Sequence, residues 1–526
     1  MRLELKWRSI GHLLEESADL YCEETLFIYE GEKVSFGEVN RRVNRTANVL
    51  KSLGVRKGDR VSVMLPNGFD FPISWLAIAK LGAVMVPTNI TYKKHDLEYI
   101  LTDSEASFMI IHQEYLPLLE SIRPKVPGLR EVLAVGKTSC GYPGYHDITG
   151  MSSEEFTIED VGENDLVNLQ YTSGTTGFPK GCMLTHRYWL LFAQIATDYI
   201  NIGPGDVDLT AQPFYYMDPQ WNTALCIASG IPLVIMNRFS PSKFWQNIKE
   251  FNVTFFYVLG TMPFYLMKLD ENPELEKNHR VRAVICSGIY PEFHGVFEKR
   301  WNTPWREAFG MTETGFDLVV PLGDKDSVGS GAMGLPIPTK EVKVVDDDGK
   351  DVSDGDVGQL VVRGEPMMLG YWKKPGETTR ALKGGWFHTG DLAFRDKQGY
   401  FHWVGRIKDM VRRSGENIST TEVEGVLVEY SKVNAVAVIP VPDELRGEEV
   451  KAYIVLKEGE TPDSAPPEEI LEFARKKLAY FKIPRYVEYI DDLPRTPSER
   501  VEKHKLIKAK KDLRQGCYDA VEKIWH

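Results

Sequence analysis

The sequence predicts an α/β protein: a large N-terminal domain of α/β sheet subdomains with a smaller β-rich subdomain, followed by a small α+β C-terminal domain. Three observations carry this. The chain has 526 residues, too many for one ordinary core. Between residues 9 and 110, and again between 186 and 258, strand-like and helix-like runs alternate, the rhythm of a parallel sheet with crossover helices. From Lys340 the texture turns to short antiparallel strands, and near Asp409 the chain restarts as a compact α+β unit. The domains are therefore expected at 1–408 and 409–526.

Taken in order, Val34 to Phe36 opens a helix whose apolar face carries Val39, Val43, Ala47 and Leu50. Residues 58–66 read as a buried strand, 71–81 as a helix and 83–87 as the next strand. Leu166 to Tyr171 is a short strand, and Trp189, Phe192, Ala193, Ala196 and Ile200 give a helix over 186–200. Strands at 231–236 and 253–258 flank a helix at 241–251. Residues 341–345 and 358–363 are the antiparallel pair, around an Asp-rich turn at 346–349. In the last domain, helices at 420–430 and 467–479 alternate with strands at 434–441, 450–456 and 485–490.

Composition narrows the function. A hydrophobic content of 43% and a charged content of 26% are those of a soluble globular protein. The net charge of −12 argues against nucleic acid as partner, because a phosphate backbone needs a basic face. Cys22, Cys140, Cys182, Cys226, Cys286 and Cys517 are scattered, without a CxxC pair or a histidine cluster, which fits a reducing compartment. The N-terminus lacks the apolar core of a secretion signal. The most apolar stretch, Trp75 to Pro87, is too short to span a bilayer. A cytoplasmic protein is expected.

Between Tyr171 and Gly181 lies Thr172-Ser173-Gly174-Thr175-Thr176-Gly177-Phe178-Pro179-Lys180. Glycines let backbone N–H groups turn inward, hydroxyls add donors and Lys180 adds a positive charge, so the loop suits phosphate oxygens. A loop between strand and helix is a common place for that. It is not the GxxxxGK[ST] loop, because two residues separate Gly177 from Lys180 and Gly181 stands where Ser or Thr would be. Five more clusters are polar in a way core residues seldom are: Ser287 to Pro291, Phe309 to Gly315, Trp386 to Asp391, Gly405-Arg406, and Arg495 to Arg500. Singly, each also reads as a turn, a cap or a surface ion pair.

Together and in this order, they resemble the adenylate-forming superfamily of acyl-CoA synthetases, luciferase and peptide-synthetase adenylation domains. The likeness covers nearly the whole chain and is nearest to carnitine/crotonobetaine-type and medium-chain acyl-CoA ligases. It implies an acid–thiol ligase that uses ATP, Mg2+ and CoA. The Thr172–Lys180 loop would hold the β- and γ-phosphates, and Glu313 with Thr172 the magnesium. Gly288, Ile289, Tyr290 and Phe309 would enclose the adenine, with Gly310, Met311 and Thr312 beside the nucleotide. Asp391 and Arg406 would contact the ribose. Asp409 would be a hinge, and Gly415 would border the CoA channel. The expected partners are a carboxylic acid, ATP and CoA, without a transmembrane segment, and a homodimer is compatible with this.

Two departures from the family pattern stand out. Where a lysine usually bridges carboxylate and α-phosphate, the chain has Pro497-Ser498-Glu499-Arg500. Arginine keeps the charge but presents a planar fork. Either Arg500 serves, or Lys503 reaches in, or adenylation is weak; charge favours Arg500. Where relatives carry a histidine beside the acyl carboxylate, the chain has Tyr216, among Tyr215, Asp218 and Trp221. These aromatics suit either plain packing or a pocket for a cationic acyl tail. Gly310, where acetate-specific relatives carry tryptophan, implies an acid larger than acetate. The competing functions are an adenylation protein that loads a carrier thiol, and a catalytically weakened acyl- or nucleotide-binding protein.

Overall fold

The computed structural model describes residues 4–137, 141–172, 179–259, 261–407, 410–413, 416–443, 446–478, 480–495 and 501–526, with only the backbone of 261, 412, 416, 417 and 504. Ser173 to Gly177, Asp409, Gly415 and Arg500 therefore lie outside the described residues. The chain forms two compact units. One is Met1–Val342 with Val362–Phe387; the other is Lys343–Val361 with His388–His526. Residues 343–361 and 388–407 thus group with the C-terminal residues, which a single boundary at 409 does not express.

In the first unit the strands are β1 (Thr25–Tyr29), β2 (Glu32–Ser35), β3 (Arg60–Met64), β4 (Val84–Pro87), β5 (Phe108–His112), β6 (Glu131–Val135), β7 (Leu166–Thr172), β8 (Lys180–Thr185), β9 (Asp208–Thr210), β10 (Leu233–Ile235), β11 (Phe255–Leu259), β12 (Ala283–Ser287), β13 (Trp305–Met311), β14 (Gly315–Val319) and β15 (Ala332–Pro336). One sheet runs β6-β5-β3-β4-β7-β8, parallel except for the last pair. In the other, β1, β10, β9, β11, β12 and β13 lie side by side and parallel; β2 joins β1 antiparallel, and β14 and β15 follow β13 antiparallel. The parallel strands are buried on both faces, as crossover helices require.

The helix Phe36–Ser52 begins at Ser35, whose hydroxyl accepts from the Glu38 N–H, and buries Val39, Val43, Ala47 and Leu50. The helix His186–Ile200 is capped by Thr185, whose hydroxyl accepts from the Tyr188 N–H. The helix Met217–Ser229 ends at Gly230, with φ +66°. A Cβ there would lie 2.5 Å from the Tyr21 ring, so both conformation and space demand glycine.

One expectation fails in a way that matters. The predicted phosphate loop does not run from strand into helix. It joins β7 to β8, which pair antiparallel with Thr172 opposite Lys180, and the helix starts only at His186. Among the described residues Lys180 opens a strand and no helix N-terminus adjoins it, so the donors the sequence offers an anion there are backbone N–H groups, hydroxyls and Lys180.

In the second unit, Val433–Asp443 and Gly447–Leu456 pair antiparallel, and Tyr486–Tyr489 adds parallel to the latter. The helices Thr420–Val428 and Pro467–Arg475 bury Val423, Leu427, Ile470 and Leu471 against Val438, Val450 and Ile454. Both helices stop short of the ends predicted for them. The strand Trp386–Arg395, which enters this unit at His388, pairs antiparallel with Phe401–Arg406 and sets Asp391 opposite Arg406. Among the described residues no helix is long and apolar enough to cross a membrane.

Candidate active site

Thr172 closes β7 and Lys180 opens β8, so strand register fixes the two ends of the phosphate loop side by side. Glu313 sits in the turn between β13 and β14 and is buried. Its carboxylate Oε1 lies 3.5 Å from the Thr172 hydroxyl and accepts a 2.9 Å hydrogen bond from the Tyr371 O–H. The Lys180 ammonium stands 4.1 Å from the centre of the Tyr371 ring. It also lies 3.8 Å from Glu377. The Glu313 main chain is fixed too. Its carbonyl accepts from the Met368 N–H at 2.8 Å, and the next carbonyl, of Thr314, accepts from Lys340 at 2.6 Å.

Below this turn lies a buried ion pair. Lys340 and Asp317 have fully buried side chains, 3.2 Å apart. Burial lowers the Lys340 pKa and raises that of Asp317, each opposed by the other's charge. The ammonium donates to the carbonyls of Thr314, Gly364 and Pro366 and faces Asp317 Oδ1 as an ion pair.

The predicted adenine turn follows β12. Gly288, at φ +79°, and Ile289 direct their N–H groups to the Glu307 carboxylate at 3.1 and 2.9 Å. Glu307 lies on β13, buried, and burial pushes its carboxyl up to about 8 against the pull of those two donors. The Ser287 hydroxyl donates to the Ala308 carbonyl, tying the turn to β13 again. Tyr290 is exposed, and its ring lies 5.9 Å from that of Phe264.

The residues predicted for the acyl group sit on and beside the helix Met217–Ser229. Trp221 is buried and stacks on Phe192 at 5.4 Å, and Phe192 stacks on Phe316 at 5.9 Å. Tyr257 meets Trp221 edge-on at 5.8 Å. The rings of Tyr215 and Tyr216 are 4.8 Å apart, and Asp218 lies in the first turn of the helix. The Thr312 hydroxyl donates to Met217 Sδ at 3.5 Å, which links the Glu313 turn to this helix.

In the second unit Asp391 is buried, and its Oδ1 accepts from Trp403 Nε1 at 3.2 Å and Arg406 Nε at 3.1 Å. Its Oδ2 is buried and accepts no hydrogen bond from the described residues. A buried carboxylate oxygen left open in this way suits a hydroxyl donor from a ligand. The Lys503 ammonium is held by the Thr420 hydroxyl at 2.6 Å and Glu424 at 2.8 Å.

A family model described as AMP-binding enzyme matches residues 14–372, and one described as AMP-binding enzyme C-terminal domain matches residues 422–500. The chain belongs to the AMP-binding enzyme family. This AMP-binding enzyme is 30% identical over 517 residues to a crotonobetaine/carnitine–CoA ligase of Salmonella paratyphi B, an alignment covering 95% of this chain and 99% of that one. It is similar in structure to the anthranilate CoA ligase AuaEII in complex with anthranoyl-AMP, with a TM-score of 0.88 at 28% identity, covering 97% and 99% of the two chains. ATP-bound MatB from Rhodopseudomonas palustris matches with a TM-score of 0.86 at 29% identity, covering 96% and 99%.

The structure of this AMP-binding enzyme thus brings Thr172, Lys180 and Glu313 together, and ties the Gly288–Ile289 turn to β13, the strand that carries Phe309. Sequence reasoning missed Tyr371 and Glu307. Tyr371 gave no signal, being 58 residues from its partner. Glu307 had one: it is the single acid of β13, a strand whose other residues apart from Arg306 are apolar or glycine. Gly310 has a backbone reason of its own. A Cβ at 310 would meet the Gly315 carbonyl oxygen at 2.1 Å, so glycine lets β14 cross close to β13. Gly310→Ala should therefore displace the Glu313 turn, lowering stability by about 1–3 kcal/mol and slowing adenylation. Thermal unfolding and ATP–pyrophosphate exchange check this, and a variant matching wild type in both would contradict it.

Proposed function

We propose that this protein is an ATP-dependent, AMP-forming acyl-CoA ligase. It would convert a carboxylic acid larger than acetate into an acyl-adenylate and then pass the acyl group to the thiol of CoA, in the cytoplasm. The observation that carries the reading is the convergence of Thr172, Lys180 and Glu313 around Tyr371, in a chain similar to proteins named as CoA ligases.

A carboxylate and ATP are both anions, so their reaction chiefly requires neutralised charge and in-line positioning. Lys180 and the Ser173–Gly177 stretch would hold the β- and γ-phosphates. A hydroxyl and a buried carboxylate 3.5 Å apart are hard oxygen donors of the kind that fit Mg2+, so Thr172 and Glu313 would hold that ion. Bound there, Mg2+ would supply positive charge at the phosphates. The substrate carboxylate attacks the α-phosphorus and pyrophosphate departs. The CoA thiolate then attacks the acyl carbonyl and AMP departs, so no protein nucleophile is required. His186 fits this. It is buried, accepts from the Ile10 N–H, and burial pushes its pKa down to about 3.

In the second unit Asp391 and Arg406 would serve the ribose hydroxyls, Asp409 would be the hinge and Gly415 would lie beside CoA. Arg500 remains the favoured cation for the α-phosphate, because Lys503 is already engaged by Thr420 and Glu424. The stacked rings of Trp221, Phe192 and Phe316 support an acid with a sizeable apolar body.

A panel of acetate, butyrate, octanoate, benzoate, carnitine and crotonobetaine, scored for AMP release with and without CoA, tests the reading. Acid-dependent AMP release, raised by CoA and poor with acetate, is expected. Preference for acetate would overturn the size assignment, and use of carnitine or crotonobetaine alone would assign Tyr216 and Asp218 to a cationic tail. No AMP release with any acid would overturn the function.

A further inference from the structure

We infer that Tyr371 is a positioning residue that couples the two charged groups of the phosphate site: its hydroxyl aims the Glu313 carboxylate and its ring seats the Lys180 ammonium. The inference rests on the reading above that Glu313 and Lys180 serve metal-bound ATP.

Its position is over-determined. Residues 369–372 run alongside β8 as a short extra strand: Leu369 N–H donates to the Met183 carbonyl at 2.9 Å, Met183 N–H to Gly370 at 2.9 Å, and Trp372 N–H to Gly181 at 2.8 Å. Tyr371 bridges to Cys182 in this pairing. Its own N–H donates to the Thr378 hydroxyl at 2.9 Å, and Trp372 Nε1 donates to the Asp103 carbonyl at 3.1 Å. Gly370, at φ +141°, lies where a Cβ would be 2.6 Å from the Thr378 methyl, so glycine lets the segment pack closely on Thr378. The Tyr371 side chain therefore enters the site from a fixed backbone.

Two features make it more than packing. The phenol is buried and its O–H donates to Glu313 Oε1 at 2.9 Å. That bond orients the carboxylate that sequence motifs assign to the metal. The opposite use of the same side chain is its ring face, 4.1 Å from Lys180 Nζ, a distance that holds the ammonium by the ring quadrupole. One residue thus sets both the acid and the cation.

The two uses separate by substitution. Tyr371→Phe removes the hydroxyl and keeps the ring; Tyr371→Leu removes both. Binding of Mn2+ in the presence of ATP, followed by the EPR signal of free Mn2+, reads the carboxylate. The KM for pyrophosphate in the exchange reaction reads the lysine. Tyr371→Phe is expected to weaken Mn2+ binding about tenfold while leaving the pyrophosphate KM near wild type. Tyr371→Leu is expected to weaken Mn2+ binding alike and also to raise the pyrophosphate KM several-fold. Wild-type Mn2+ affinity in Tyr371→Phe, with Glu313→Gln impaired, would overturn the role of Tyr371 alone. Unchanged Mn2+ affinity in Glu313→Gln would overturn the metal assignment and the inference with it. If Tyr371→Leu does not fold, Tyr371→Met takes its place: ring seating predicts the same several-fold rise in the pyrophosphate KM, and a wild-type KM overturns that half.

Discussion

Lys340→Met should lower the thermal unfolding midpoint by several degrees, the largest stability loss expected of any single substitution considered. The ammonium and the Asp317 carboxylate are both fully buried, 3.2 Å apart. Removing the cation leaves a buried carboxylate whose remaining donor among the described residues is the Thr314 hydroxyl, and takes a donor from three main-chain carbonyls, of Thr314, Gly364 and Pro366. Breaking a buried pair in this way costs about 3–5 kcal/mol. The double variant Lys340→Met with Asp317→Leu should recover much of the loss, because an apolar pair of similar volume needs no counter-charge. Thermal unfolding of the three proteins is the measurement. Equal losses in the single and double variants would mean that the stability lies in packing, not in the charge balance. Pyrophosphate exchange should fall with the single variant as well, since Lys340 fastens the carbonyl next to Glu313.

Glu313→Gln should slow acid-dependent pyrophosphate exchange by at least about 100-fold with the unfolding midpoint unchanged. Glutamine keeps the shape and still accepts from Tyr371 through its carbonyl oxygen, and the turn is held through main-chain bonds from Met368 and Lys340. What disappears is the negative charge beside Thr172. A rate within a few-fold of wild type would remove Glu313 from the chemistry. A lowered midpoint would show that the carboxylate serves the fold instead.

What the sequence made legible was local. The helix 186–200 shows its apolar stripe, and the structure begins and ends it at His186 and Ile200. Likewise Phe36–Ser52 follows from Val39, Val43, Ala47 and Leu50. The motif residues Thr172, Lys180 and Glu313 could be named because their types and order are distinctive. The strand β8 was missed, because Lys180 reads as the end of a loop and Lys180 to Thr185 lacks clean alternation. The connections that organise the site were missed for another reason: they are distant in sequence. Tyr371 reaches Glu313 because a later segment pairs with β8, and Lys340 reaches Asp317 across β15. No period of 2 or 3.6 residues records a contact of that kind.

The buried cysteine beside the phosphate loop bears on chemical self-protection. Cys182 lies on β8, 3.9 Å from the Thr172 hydroxyl. A mixed anhydride acylates any thiolate within reach, and an enzyme that builds one risks acylating itself. Here burial and the charge of Glu313 raise the Cys182 pKa well above its usual value, so the sulfur stays a thiol. Cys226 and Cys286 are likewise buried and held protonated. Burial, aided by the Glu313 charge, thus keeps this sulfur from competing as a nucleophile for the activated acyl group.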